Sequence, residues 1–136
     1  MECPWPSYAY IPGQTPRHDP MIFDELKKQA GAWDFGLQLL KAGFYWECHE
    51  VVEAVWLRAS PNSEEQRVAQ GVIQLANAAL KWRMGRGKAA QRIAAIAADL
   101  FASVGSEKVL GISPLVASTI AKELGNGPEQ VISLQD

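Results

Sequence analysis

The chain has 136 residues, 48% of them apolar, with 13 basic and 15 acidic side chains for a formal net charge of −2. That length predicts one domain with a real core, and charges of both signs spread along it exclude the basic face of a nucleic-acid binder. The most apolar window, Ile93 to Val104, is interrupted by Asp99, so no run approaches the roughly 20 apolar residues of a membrane-spanning helix.

No basic stretch leads into an apolar run at the N-terminus, so no signal peptide is expected. Cys3 stands in a proline-rich segment and Cys48 among core-type residues, which argues against a disulfide framework and for a reducing compartment. A soluble, cytoplasmic protein is expected, with neither nucleic acid nor membrane as partner.

Prolines at 4, 6, 12, 16 and 20 forbid regular helix and predict an extended arm over residues 1–19, with a turn at Pro12-Gly13. Trp5, Tyr8, Tyr10 and Ile11 make the arm too apolar for a free linker, so it is expected to pack on the domain. Asp19-Pro20 reads as an N-cap followed by proline in the first turn, opening a short helix to about Gln29. A second helix, about Ala32 to Lys41, shows Trp33, Leu37 and Leu40 at helical spacing and is ended by Gly43.

A third runs to Arg58, before Ser60-Pro61-Asn62. Ser63 with Gln66 three residues on is a capping box that opens a long helix to about Met84. Gly85-Arg86-Gly87-Lys88 lacks the strand context and glycine spacing of a phosphate loop and reads as a helix break. An alanine-rich helix follows from Lys88 to Val104, a close-packing surface that also suits a subunit contact in a homo-oligomer. Ser113-Pro114 starts a last helix closed by Gly125, and residues 127–136 read as a weakly held tail. With no strand alternation, the chain is predicted to be all-α, a single-domain bundle of about five helices over residues 20–126.

The third helix, YWECHEVVEAVW, places acids and a histidine among core residues. At about 100° per residue, Trp46, Glu50, Glu53 and Leu57 share one stripe, with His49 and Trp56 beside it and Val51 and Val55 opposite. His49, Glu50 and Glu53 are therefore expected in the interior, whereas Glu47 lies apart, near Ala54 and Arg58, and is expected to face water. On the long helix, Gln70, Gln74, Asn77 and Lys81 fall within one narrow arc, and Gly71 permits close approach of another backbone. Consecutive helices joined by a short loop pack against each other, which would set the Gln/Lys stripe against the His/Glu stripe.

Buried carboxylates need donors, a proton or a metal, and three readings answer that need. In the structural one, Lys81, Arg67 or Arg58 pairs with a glutamate and the glutamines complete a hydrogen-bonded network. In the metal one, His49 and Glu53, at i and i+4, hold a divalent ion, with Glu50 as third ligand or general base and His18 or Asp19 as the donor that completes the set. The order His-Glu-x-x-Glu echoes the zinc-protease motif with Glu53 in place of the second histidine; a di-iron centre, which needs paired Glu-x-x-His motifs, is not matched by Gln70 and Gln74. In the acid–base one, His49 and Glu50 are the catalytic candidates, poised by their neighbours for proton transfer. Cys48 reads as a small core residue because adjacent helical side chains do not face each other, and His18 as an exposed histidine of the arm.

Phe44 to Trp56, followed by Gln70-Gly71-Val72-Ile73-Gln74-Leu75-Ala76, resembles the prokaryotic "domain of unknown function 309" family, which pairs a Glu-Ala-His-Glu…Glu…Trp helix with a Gln-Gly-Ile-Gln-type helix. Tyr10 to His18 is similar to the Pro-Gly lead-in of some members, and the resemblance covers about residues 8 to 104. Cys48 stands where alanine is usual, and Arg86 where asparagine often follows the glycine. The resemblance implies a small all-helical protein and brings with it no activity or cofactor. The residues themselves favour a domain binding a small ligand or a protein partner through Trp46, His49, Glu50, Glu53, Gln70, Gln74 and Lys81. The alternative is a small hydrolase-like enzyme with Glu50 as base and His49 and Glu53 holding a metal or orienting substrate.

Overall fold

The computed structural model describes residues 5–128 and 131–135; Cys3 and Pro4 lie outside them. Six helices make up the described part: α1 (Asp24–Lys27), α2 (Ala32–Lys41), α3 (Tyr45–Arg58), α4 (Glu64–Arg83), α5 (Gly87–Ala102) and α6 (Pro114–Leu124). From α2 onward each helix packs on the next in the chain, so the all-α bundle is built from local pairings. No helix among the described residues is long and apolar enough to cross a membrane.

Local chemistry sets most of the boundaries. Ser63 Oγ accepts from the Gln66 N–H at 3.1 Å while Gln66 Oε1 accepts from the Asn62 N–H at 2.9 Å, which satisfies two donors at the start of α4. Ser113 Oγ caps α6 by accepting from the Val116 N–H, with Pro114 in the first turn. Gly43 takes φ +88° between α2 and α3, a conformation glycine adopts without strain. The segment expected as a helix from Pro20 to Gln29 is helical only over α1. Asp19 closes a turn instead, its Oδ1 accepting from the Met21 N–H and its carbonyl from the Ile22 N–H. Phe23 and Leu26, 2% and 3% exposed, then fasten this short piece to the core.

Of the tail expected at residues 127–136, residues 129, 130 and 136 lie outside the described ones, and residues 131–135 carry buried side chains. Ile132 and Leu134 are buried in the core with Val131, Ser133 and Gln135 less so. Burial falls on every second residue there, and that period of two anchors residues 131–135 where a helical reading finds nothing. Two tryptophans tie distant elements: the Trp33 indole donates to the Leu110 carbonyl and the Trp82 indole to that of Leu124. The alanine-rich face of α5, with Ala90, Ala94, Ala97 and Ala98 buried, packs between α4 and α6.

Candidate functional site

The polar residues of α3 separate into three environments. Glu47, expected to face water, is fully buried. Its Oε2 accepts from the Tyr10 N–H at 2.7 Å and lies 2.6 Å from His18 Nε2, while its Oε1 has no hydrogen-bond partner among the described residues. The arm supplies both contacts by folding over α3, its own turn held by Thr15, whose hydroxyl accepts from the Ile11 N–H and donates to the Ala9 carbonyl. His18, expected to be exposed, has its ring tilted against those of Tyr8 and Trp46, at 4.6 and 6.5 Å between centres. Trp46 belongs to this aromatic cluster too, edge-on to Tyr10 at 5.0 Å with the Arg17 guanidinium 5.9 Å from its ring centre.

Glu50 pairs with Lys27 of α1 at 3.3 Å, both side chains about a quarter exposed. The basic residues proposed for a glutamate go elsewhere: Arg67 donates to the Ser103 carbonyl and Arg58 to that of Lys27, while Lys81 forms no ion pair with any described residue. Lys27 was hidden from the helical-wheel argument because it lies on a separate four-residue helix.

Glu53 occupies the third environment. It lines a cleft of about 180 Å³ between α3 and α4 with Trp56, Gln70, Ile73 and Gln74. The two helices do set a carboxylate against the paired glutamines, as their stripes imply, but at a partly open surface. His49 Nε2 lies 3.1 Å from Glu53 Oε2, with side-chain exposures of 25% and 47%. Trp56 and Ile73 are the lining residues that sequence reasoning left out. Their signal was weak, since a tryptophan and an isoleucine at helical spacing read as core. The Trp56 indole nitrogen is itself closed off from solvent and without a hydrogen-bond partner among the described residues, so the ring's carbon surface is what it offers the cleft.

Cys48, between the two polar groups in sequence, is a buried free cysteine. Burial pushes its thiol far above the usual range, and the Glu47 carboxylate adds to the effect. A thiol held protonated in this way is no nucleophile.

For a metal, His49 and Glu53 supply two donors. Glu50 is turned to Lys27 and His18 to Glu47, and among the described residues no group of three or more His, Cys, Asp or Glu side chains converges. A catalytic zinc takes three protein ligands and a structural one four, so this donor set does not complete a site.

Fold and cleft together define a small all-α domain with its open polar site between two consecutive helices. Residues 33–93 match the family described as Domain of unknown function (DUF309), which the motifs of α3 and α4 resemble; the match spans every residue lining the cleft. No curated protein and no solved structure matches the chain.

Proposed function

We propose that this domain is a binding module that receives one side-chain-sized group of a protein partner in the α3–α4 cleft. The volume carries the reading. About 180 Å³ falls below the roughly 300–1,000 Å³ of sites that enclose a whole small molecule, yet it suits a single anchoring side chain. Such anchors, seated in a pocket with apolar surroundings, dominate many protein interfaces. Leu57, four residues after Glu53 on the same helical face and 68% exposed, offers apolar surface beside the cleft for the rest of the partner.

The hydrolase-like alternative asks Glu50 to act as base beside His49. Glu50 does not line the cleft and is engaged by Lys27, so the residues that meet there are a carboxylate, two carboxamides and apolar carbon, a set made for holding a group.

The test is a peptide array probed with the wild-type protein and with Gln74→Trp, which fills the cleft. Binding of a defined peptide subset by wild type, lost in the filled variant, is expected. Equal binding by both proteins, or a metabolite that raises the melting temperature only when the cleft is open, would refute the reading.

A further inference from the structure

We infer that the group received by the cleft is a basic side chain, lysine or arginine, of the partner; this rests on the binding role proposed above. The lining carries one charged residue, Glu53, whose side chain is 47% exposed and thus available to a ligand. Gln70 and Gln74 line the same cleft with carboxamides whose oxygens accept hydrogen bonds, and neither forms a side-chain hydrogen bond with a described residue. Trp56 and Ile73 contribute carbon. Lysine and arginine match that combination because they lay an apolar stem along apolar surface and keep a cationic head for the carboxylate.

A second observation comes from the same helix. The other aromatic residues of α3 already carry a guanidinium of this chain: Arg83 lies 4.2 Å from the Tyr45 ring centre, and Arg17 lies 5.9 Å from that of Trp46. Among the described residues Trp56 has no such cation, although tryptophan is the strongest cation–π acceptor and a carboxylate stands one turn before it. The cleft sets an aromatic ring beside a carboxylate with no lysine or arginine in its lining, and leaves that cation to be brought by another molecule. His49, four residues earlier on the same helix, has its Nε2 3.1 Å from Glu53 Oε2.

The experiment is an NMR titration of ¹⁵N-labelled protein, following the Trp56 indole and the Gln70 and Gln74 side-chain amides. The probes are the Nα-acetyl, N-methylamide derivatives of lysine, arginine, norleucine and glutamate. Saturable shifts are expected with lysine or arginine, with affinity at least tenfold above that for norleucine, the uncharged match in shape to lysine, and above that for glutamate. Glu53→Gln should weaken the basic probes at least tenfold, while Gln74→Glu, which adds a second carboxylate, should strengthen them.

Norleucine binding as well as lysine, no shift with either basic probe, or no loss in Glu53→Gln would each overturn the assignment. Those results leave the binding role intact if array peptides still lose affinity for Gln74→Trp. Peptide binding indifferent to Gln74→Trp removes the role itself, whatever the amino-acid probes do.

Discussion

His18 Nε2 lies 2.6 Å from Glu47 Oε2, with the two side chains 6% and 0% exposed. This contact, with the Tyr10 N–H on the same oxygen, fastens the proline-rich arm to α3. Its partners are 29 and 37 residues away in the chain, so Tyr10 and His18 of the described part of the arm are tied to α3.

Removing either partner leaves buried polar atoms without their bonds. Glu47→Ala strands the His18 nitrogen and the Tyr10 N–H; His18→Ala leaves the carboxylate with the Tyr10 N–H alone. Each is expected to cost about 3 kcal/mol in urea unfolding. The double variant should cost clearly less than the sum. Single-variant losses below about 1 kcal/mol would show that the arm is not held by this contact.

Glu50 is the contrasting case on the same helix. Its pair with Lys27 is spaced at 3.3 Å and partly exposed, the kind that contributes at most about 1 kcal/mol. Glu50→Gln should therefore shift stability by less than about 1 kcal/mol. A loss as large as that of Glu47→Ala would contradict the partition of the α3 acids described above.

Gly71 meets a ring. A Cβ built there would stand 2.6 Å from Phe101 Cε1 and 2.8 Å from Cζ, and Phe101 is itself fully buried. The close approach is thus to a side chain of α5, where the sequence pointed to another backbone. Gly71→Ala gains up to about 1 kcal/mol of helix propensity, yet overpacking of this kind costs roughly 1–3 kcal/mol. Net destabilisation is expected. Because the clash is with one ring, Phe101→Leu combined with Gly71→Ala should be more stable than the two separate losses add up to, as measured by thermal melts of the four proteins.

Cys48 gives a pH signature. Its thiol is pushed up by burial and by Glu47, whereas in the unfolded chain it ionises near about pH 8.5. Above that pH the unfolded state releases a proton that the folded state keeps. Stability from this group is fully present below about pH 8.5 and falls as pH rises, by up to about 1.4 kcal/mol per pH unit. Cys48→Ala lacks that slope. Unfolding free energies of wild type and Cys48→Ala should diverge in slope between about pH 8.5 and 10; parallel curves would refute the protonated, buried thiol.

Where one element's chemistry decides, the sequence is readable. Ala32 to Lys41 follows from its spacing and its glycine end, and Ser63 with Gln66 announces α4. The cleft was readable in part, since Glu53, Gln70 and Gln74 lie on stripes that two adjacent helices bring together. What a single-helix wheel cannot register is a partner from outside the helix pair. Glu47 is surrounded by the arm, Glu50 is met by α1, and Trp46 is covered by Tyr10 and Arg17. A usable signal was present in the arm itself: a histidine that packs down with its aromatic neighbours needs an acceptor once buried, and Glu47 is the acid nearest the Tyr45-Trp46 end of α3. Ile132 and Leu134 escaped for a different reason, being anchored at a period of two in a chain otherwise read at a period of 3.6.

The central claim is that the α3–α4 cleft is a docking site for a partner's side chain. Its most direct measurement is an NMR map of a tight-binding array peptide on the protein, with intermolecular contacts assigned. The account predicts contacts from one peptide side chain to Glu53, Trp56, Gln70, Ile73 and Gln74. Contacts clustered instead on the cavity formed by Leu37, Gln38, Lys41 and Leu134, with the α3–α4 resonances unmoved, would contradict it.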